Sequence, residues 1–177
     1  AEAIRASTIS QAKIINDLLD LSRLKTGKMA VNRRRIDLNV MTRNIIEVVR
    51  SDPAAGSLHI VHREADQPLW LYADQTRIEQ VIWNLLNNAI KFTPAGGTID
   101  LSLTMEDRLA RLEVRDSGQG IAAEFLPTIF DMFGQGTPSI VRGTKGLGIG
   151  LAMVQQIVEL HNGRIQAESA GSGQGAC

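Results

Sequence analysis

Three polar side chains, Asn84, Asn88 and Lys91, share the narrow polar arc of a largely apolar helical segment, together with Arg77, Gln80 and Asn87. At about 100° per residue, the broad arc opposite them is apolar and contains Ile78, Val81, Ile82, Leu85, Leu86, Ala89 and Phe92. Asparagine is a mediocre helix former, so these residues cost stability unless something binds to them. An amide oxygen can ligate a hard cation, and a lysine can pair with phosphate. The strip predicts a magnesium–polyphosphate site, although a solvated polar stripe would explain this helix alone equally well.

Two glycine runs lie further along the chain. The first, from Asp116 to Gly120, follows an alternating segment at 109–115 that predicts a strand. The second, from Gly146 to Gly150, opens a helical pattern that continues to Leu160. Such glycines let a ligand approach main-chain N–H groups, and a helix start attracts anions. A dinucleotide-binding fold is excluded, because it requires the run early in a strand–helix unit with an acidic residue about 20 positions on.

In chain order, four motifs resemble the N, G1, F and G2 boxes of sensor histidine kinases: Asn84…Asn88, Asp116-x-Gly118-x-Gly120, Phe130-Asp-Met-Phe133 and Gly146-x-Gly148-x-Gly150. The likeness covers nearly the whole chain, and four ordered boxes are far more specific than any single one. The resemblance implies the Bergerat-type ATP-binding fold, of the α/β class (an α+β sandwich). That fold has a mixed sheet with helices on one face, preceded here by a long N-terminal helix.

The resemblance also implies residue roles. Asp116 would receive the adenine amino group, which suits a carboxylate because it only accepts hydrogen bonds; taken alone, an Asp that bonds its own turn is a reasonable alternative. Asn88, helped by Asn84, would ligate magnesium, Lys91 would reach the phosphates, and Phe92 would lie near the base or ribose. The whole implied ATP-binding set is Asn84, Asn88, Lys91, Phe92, Asp116, Gly118, Gly120, Ile121, Phe130, Phe133, Arg142, Gly143, Thr144, Lys145, Gly146, Leu147, Gly148, Ile149, Gly150 and Leu151.

A lid is implied between the F and G2 boxes, over residues 134–145. Phe130 and Phe133 would anchor one end, and the second glycine run the other. Arg142, Thr144 and Lys145 would be placed to touch the β- and γ-phosphates.

The residue at position 84, an asparagine, distinguishes a kinase from an ATPase of the same superfamily. ATPases of this superfamily resemble each other in placing a Glu four residues before the magnesium Asn, as a general base for water. Asn84 has no useful basicity, so a site of this kind protects its ATP for transfer to a protein nucleophile. Two alternatives stay open: an ATPase of the same superfamily, and a non-catalytic interaction module that kept the fold and lost nucleotide binding.

Residues 1–25 form a helical pattern whose wide apolar stripe has to be buried in a bundle. Residues 16–27 resemble the second helix of the dimerisation and phosphoacceptor hairpin of these kinases. The implied organisation is an incomplete hairpin with its hinge at 1–27 and a catalytic ATP-binding domain at 28–177, whose last strand is expected to be truncated. A homodimer through the N-terminal helix of the full-length protein is also implied. An ordinary surface helix of the same domain is the alternative.

The helix that carries the phosphoaccepting His in this family has no counterpart here, since none of the three histidines lies in such a helix. We therefore expect a fragment of a larger protein-histidine kinase, which binds ATP and Mg²⁺ but does not autophosphorylate alone. No catalytic side chain is assigned. With the missing helix restored, the γ-phosphoryl would pass to its His and then to the receiver Asp of a response regulator in two-component signalling.

Composition fits this expectation. The 177 residues are 44% hydrophobic and formally neutral, which allows one substantial core and argues against nucleic acid as the main partner. No run approaches 18 apolar residues, and the lone Cys177 fits a reducing cytoplasm. A cytoplasmic location is expected, with membrane attachment of the full-length protein left open.

Gly, Pro and polar residues mark the ends of the helices and strands and so predict the elements. In chain order they are a strand at 33–36, a helix at 38–50, strands at 57–63 and 69–73, the Asn helix, a hairpin with strands at 98–105 and 109–115, a helix at 150–161, and a strand at 164–168. Asp74 is expected to cap the Asn helix, and Gly163 to end the last helix. His59 and His62 are expected to face solvent.

Overall fold

The computed structural model describes residues 29–131 and 148–177. Within these ranges the elements are β1 (Arg34–Asp37), α1 (Leu38–Ser51), β2 (His59–Arg63), β3 (Trp70–Ala73), α2 (Gln75–Phe92), β4 (Thr98–Glu106), β5 (Leu109–Asp116), a 3₁₀ turn (Leu126–Thr128) and α3 (Gly150–Leu160). The predicted helix at 1–25 and the lid at 134–145 lie outside the described residues.

The larger sheet is mixed and has the order β2-β4-β5. Strand β2 runs parallel to β4, and β4 pairs antiparallel with β5. Alternation along β4 buries Ile99, Leu101 and Leu103, while charged pairs such as Arg63–Asp100 lie on the opposite face. A separate two-stranded sheet pairs β1 with β3 antiparallel. The expected mixed sheet backed by helices is confirmed.

Helices α1 and α2 cover the apolar face of this sheet. Ile46 and Val49 of α1 and Ile82 and Leu86 of α2 are almost fully buried against the β4 side chains. Aspartates stand at both helix starts: Asp37 accepts from the Asn39 N–H at 3.0 Å. Asp74 accepts from the Arg77 N–H at 3.2 Å, which confirms the predicted cap of α2.

The end of α3 differs in detail from the expectation. The left-handed residue is Asn162 (φ 59°), not Gly163. The Asn162 N–H donates to Glu159 O and the Gly163 N–H to Val158 O, each at 2.9 Å, which is the Schellman pattern. Asparagine tolerates this conformation because its short amide bonds locally.

The predicted strand at 164–168 is wrong. Among the described residues the segment forms no ladder: Glu168 alone pairs, exchanging two backbone hydrogen bonds of 2.8 Å with Cys177. A single pair of this kind does not continue the sheet. The edge of β5 is instead met by one bridge, between Asp116 and Ala176.

The expectation that His62 faces solvent is also wrong: its side chain is only 7% exposed. Its Nε2 lies 3.0 Å from Thr42 Oγ1 on α1. Because the Thr42 hydroxyl donates to Leu38 O, the neutral ring must donate through Nε2–H. His59 is exposed as expected.

Acidification is expected to destabilise the fold through His62. Burial lowers the pKa of His62, an effect that Glu64 opposes and that Arg50 and Arg43 reinforce. The unfolded chain binds its proton near the ordinary pKa of about 6.5, so stability is full above that pH and is lost as the pH falls below it. Urea unfolding between about pH 5 and 8 measures the slope of the unfolding free energy against pH.

A matched pair of variants isolates this effect. His62→Gln can keep the bond to Thr42 but does not titrate in this range, so its slope should be shallower. His59→Gln, on the exposed end of the same strand, should keep the wild-type slope. An unchanged slope in His62→Gln would show that His62 is not responsible.

Candidate functional site

The C-terminal end of α2 packs directly against the first glycine run, residues 116–120, which we call the first glycine turn. The Gln119 N–H donates to Phe92 O at 3.1 Å. A Cβ added to Gly118 would lie 2.4 Å from the same oxygen, so any side chain at Gly118 would collide with the α2 backbone. This contact places Asp116 beside the end of the helix that carries the asparagines.

Asp116 ends β5 and is half-buried. Its Oδ1 accepts the Gly118 N–H at 2.7 Å, and its backbone exchanges two hydrogen bonds with Ala176. Burial raises the pKa of the Asp116 carboxyl, against the opposing effect of the Gly118 and Ala176 N–H groups. A carboxylate has about four lone-pair sites, so Asp116 retains capacity to accept from a further donor such as an amine.

The start of α3 packs against the middle of α2. A Cβ added to Gly150 would lie 3.3 Å from Asn84 Oδ1. The Asn84 amide nitrogen donates back to Gln80 O at 3.0 Å, which leaves the amide oxygen on the Gly150 side. Ile149 stands at the N-cap of α3 and offers no side-chain oxygen to the first N–H groups of this helix. Those groups suit an anionic ligand.

Helices α2 and α3 run antiparallel and share a small apolar cluster. Val81 of α2 packs with Ile149, Met153, Val154 and Ile157, all of them buried. The Gln80 amide also lies 2.8 Å from the Met153 sulfur. These contacts bring Asn84 and Gly150 together from positions that are far apart in sequence.

Asn88 and Lys91 occupy the stretch of α2 between the two turns. The Asn88 side chain is half-buried, and within the described part of the chain it has no hydrogen-bond partner. The Lys91 ammonium lies 4.7 Å from the centre of the Phe92 ring, and burial lowers its pKa. In this structure Lys91 therefore contacts Phe92, next to the first glycine turn.

Of the other predicted ATP-binding residues, five are described by the structure and the rest are not. Gly120 and Ile121 face the C-terminal loop: Gly120 has φ 67°, and the Ile121 N–H donates to Ser169 Oγ at 2.9 Å. Phe130 and Leu151 are partly buried, and Gly148 has φ 66°. Seven predicted residues lie outside the described ranges: Phe133, Arg142, Gly143, Thr144, Lys145, Gly146 and Leu147.

Sequence reasoning missed the loop at 169–176, which holds the first glycine turn from the side opposite α2. The Gly173 N–H donates to Gln119 O at 2.6 Å, and the Gly175 N–H donates to Gly118 O at 3.1 Å. Three glycines of this loop, 171, 173 and 175, have positive φ. Their spacing was the available signal, since it indicates a tight loop.

Comparison with known proteins agrees with this geometry. The family model for histidine kinase-, DNA gyrase B-, and HSP90-like ATPases matches residues 73–177. The circadian input-output histidine kinase CikA of Synechocystis sp. is 35% identical over 91% of this chain and 22% of CikA. Hybrid signal transduction histidine kinase D of Dictyostelium discoideum is 33% identical over 99% of this chain and 13% of that protein. The chain thus spans less than a quarter of these relatives.

Among solved structures, full-length ShkA in complex with AMPPNP superposes with a TM-score of 0.83. The two sequences are 28% identical, and the superposed region covers 98% of this chain and 36% of ShkA. The described ranges contain no helix with the length and hydropathy that a membrane span requires. The family match, the relatives and the fold agree, and the chain therefore belongs to the histidine kinase-, DNA gyrase B-, and HSP90-like ATPases, as the ATP-binding module of a sensor histidine kinase.

Proposed function

We propose that this module binds Mg-ATP between its two glycine turns and presents the γ-phosphoryl to a His on a helix outside this chain. The receiver Asp of a response regulator is the proposed second acceptor. The observation that carries the proposal is Asn84, whose side chain lies beside the start of α3 and cannot take a proton from water. A site without that base favours transfer to a protein nucleophile over hydrolysis.

The residues present fit a nucleotide. Asp116 would accept from the adenine amino group, at a turn where Gly118 allows contact with α2. The first N–H groups of α3, which receive no side-chain cap, suit the phosphates. Lys91 would add a positive charge on leaving its contact with the Phe92 ring.

The asparagines of α2 fit magnesium. Mg²⁺ usually takes one or two protein oxygens together with the phosphate oxygens of its substrate. The described residues contain no group of three His, Cys, Asp or Glu side chains that could hold a metal. The amide oxygens of Asn88 and Asn84 would therefore hold the ion together with ATP, and the bound ion would neutralise phosphate charge.

We also propose the organisation of the longer protein. Residues 1–27 would belong to a dimerisation and phosphoacceptor hairpin, through which the full-length protein forms a homodimer. Residues 28–177 would form the catalytic ATP-binding domain. A cytoplasmic location follows from the need for ATP as the phosphoryl donor.

Replacing Asn88 by alanine is expected to remove the metal-dependent part of ATP affinity. The dissociation constant for ATP should rise about tenfold in magnesium and stay unchanged in excess chelator, because the lost group acts only through the ion. Titration calorimetry in both buffers makes the comparison. Asn87→Ala, on the exposed side of the same helix, is the control and should behave as wild type. Equal losses in both buffers would contradict metal ligation by Asn88.

The proposed reaction class is tested with ATP labelled on its γ-phosphate. The chain alone, saturated with Mg-ATP, should return the nucleotide intact and carry no label, because the acceptor His is proposed to lie outside this chain and Asn84 cannot act as a base for water. Sustained release of phosphate without any added protein acceptor would instead identify an ATPase.

A further inference from the structure

Far from the glycine turns, His161 joins the end of α3 to the start of α2. The Asp74 N–H donates to His161 Nε2 at 3.0 Å, so this nitrogen is unprotonated. The proton must then lie on Nδ1, which is 2.8 Å from Ile157 O and donates to it. The neutral imidazole therefore joins α3 to the start of α2 through Nε2, while Nδ1–H holds the ring on α3 itself through Ile157 O.

The segment that leads into β1 bonds to the same two helix ends. The Asn32 N–H donates to Asp74 Oδ2 at 2.8 Å. The Arg33 guanidinium donates to Leu160 O at 2.5 Å and so satisfies a terminal carbonyl of α3. A cation at this position also interacts favourably with the helix dipole. We call Asn32, Arg33, Asp74 and His161 the helix-end junction.

The junction lies at one end of a series of contacts between the antiparallel helices. Asp74 meets His161, Gln80 meets Met153, and Asn84 meets Gly150. Helix α3 has 11 residues and therefore spans about 16 Å. The junction at its far end and the ATP site at its near end are thus two ends of one rigid element.

Apolar packing alone would fix this pairing weakly. Val81, Val154 and Ile157 form a non-directional contact that tolerates small shifts along the helix axis. A slip of one turn, about 5.4 Å, would carry Gly150 and the first N–H groups of α3 away from Asn84. The hydrogen bond from the Asp74 N–H to His161 Nε2 is directional and specifies one register, and the bond from Nδ1 to Ile157 O fixes the orientation of the ring that accepts it.

We propose that His161 is a positioning residue for ATP binding, which sets the register of α3 against α2 through the helix-end junction. This inference rests on the proposed use of Asn84 and the start of α3 as the phosphate side of the ATP site. It assigns a function to a histidine that contacts neither glycine turn.

The test compares His161→Leu with His161→Gln. Leucine keeps bulk but removes both polar bonds, and Mg-ATP affinity is expected to fall about tenfold. Glutamine can still accept the Asp74 N–H and is expected to restore most of the affinity. Arg33→Met, which removes only the bond to Leu160, should show a smaller loss in the same direction.

Val49→Ala is the control for general destabilisation. Val49 is buried in α1, in an apolar cluster that contains no α3 residue. The unfolding free energy of the Val49→Ala variant, measured in urea, should fall as it does in His161→Leu. Its Mg-ATP affinity should stay at the wild-type value. Equal ATP affinity in His161→Leu and Val49→Ala would overturn the proposal, as would a His161→Gln variant that binds as weakly as the leucine variant.

Hydrogen exchange without nucleotide tests the register of α3 separately from the proposed binding of ATP. His161→Leu should speed amide exchange at the start of α3, around Gly150, whereas Val49→Ala should not. Faster exchange supports the register claim even if wild-type protein fails to bind ATP, a failure that would count against the proposed function. Unchanged exchange around Gly150 would overturn the register claim whatever the ATP affinity.

Discussion

Replacing Asp116 by alanine is expected to weaken ATP binding about 100-fold, which corresponds to the loss of a strong hydrogen bond to a charged acceptor. Asp116 is half-buried, and its carboxylate is the group proposed to accept from the adenine amine. Guanine has a carbonyl in place of this amine, so the variant should also lose its preference for ATP over GTP. Competition between the two nucleotides for a fluorescent analogue measures both effects.

Asp52 supplies a matched control for the local role of Asp116. Its Oδ1 accepts the Ala54 N–H at 2.9 Å, two residues on, as Asp116 does for Gly118. Asp52→Ala therefore removes the same kind of turn bond at an exposed position and should leave ATP affinity unchanged. Wild-type ATP binding by Asp116→Ala would refute the assignment of Asp116 to adenine.

Replacing Gly118 by alanine is expected to lower the free energy of unfolding by about 3 kcal/mol and to abolish ATP binding. The added Cβ would lie 2.4 Å from Phe92 O and 2.7 Å from Asp116 Oδ1. Because the first of these is helix backbone, α2 and the turn must separate. That movement would disrupt the contact on which both sides of the ATP site depend.

Gly96→Ala distinguishes crowding from backbone strain. Gly96 has φ 82° and no atom within 4 Å of an added Cβ, so its substitution carries only the left-handed cost of about 1 kcal/mol. Urea unfolding of the two variants gives the comparison. A Gly118→Ala protein no less stable than Gly96→Ala would mean that α2 and the turn are not packed this tightly.

Most of the elements could be predicted from the sequence because their patterns are local. Apolar alternation in β4 and β5, and the helical spacing in α1 and α2, place the elements within two residues of the structure. Asp74 was identifiable as a cap from its position before an apolar helical run. These features need no knowledge of which segments meet in space.

The errors concern contacts made by distant segments. His62 alternates like an outward residue, yet α1 covers it and the Thr42 hydroxyl accepts a hydrogen bond from its Nε2–H. Residues 164–168 have a strand-like sequence, but only Glu168 finds a partner. Three bonds of the helix-end junction join residues 42, 87 and 127 positions apart, which meet only after folding, so His161 gave no sequence signal of its role.

In the candidate site too, some features could be predicted from the sequence and others depend on contacts between distant segments. The order of the four boxes indicated which residues belong together, through the resemblance to sensor histidine kinases. Only the structure shows that α2 contacts both glycine turns, at Phe92 and at Asn84. The loop at 169–176 and the contact of Lys91 with Phe92 depend on tertiary packing and were not foreseen.

The central claim is that an amide-lined strip of α2, between two glycine turns, holds ATP through a divalent ion. Calorimetric titration of the 177-residue chain with ATP, in magnesium and in excess chelator, tests it most directly. Saturable binding well below about 1 mM in magnesium, and markedly weaker binding in chelator, is the predicted result. No saturation in magnesium, or identical affinity in the two buffers, would contradict the account.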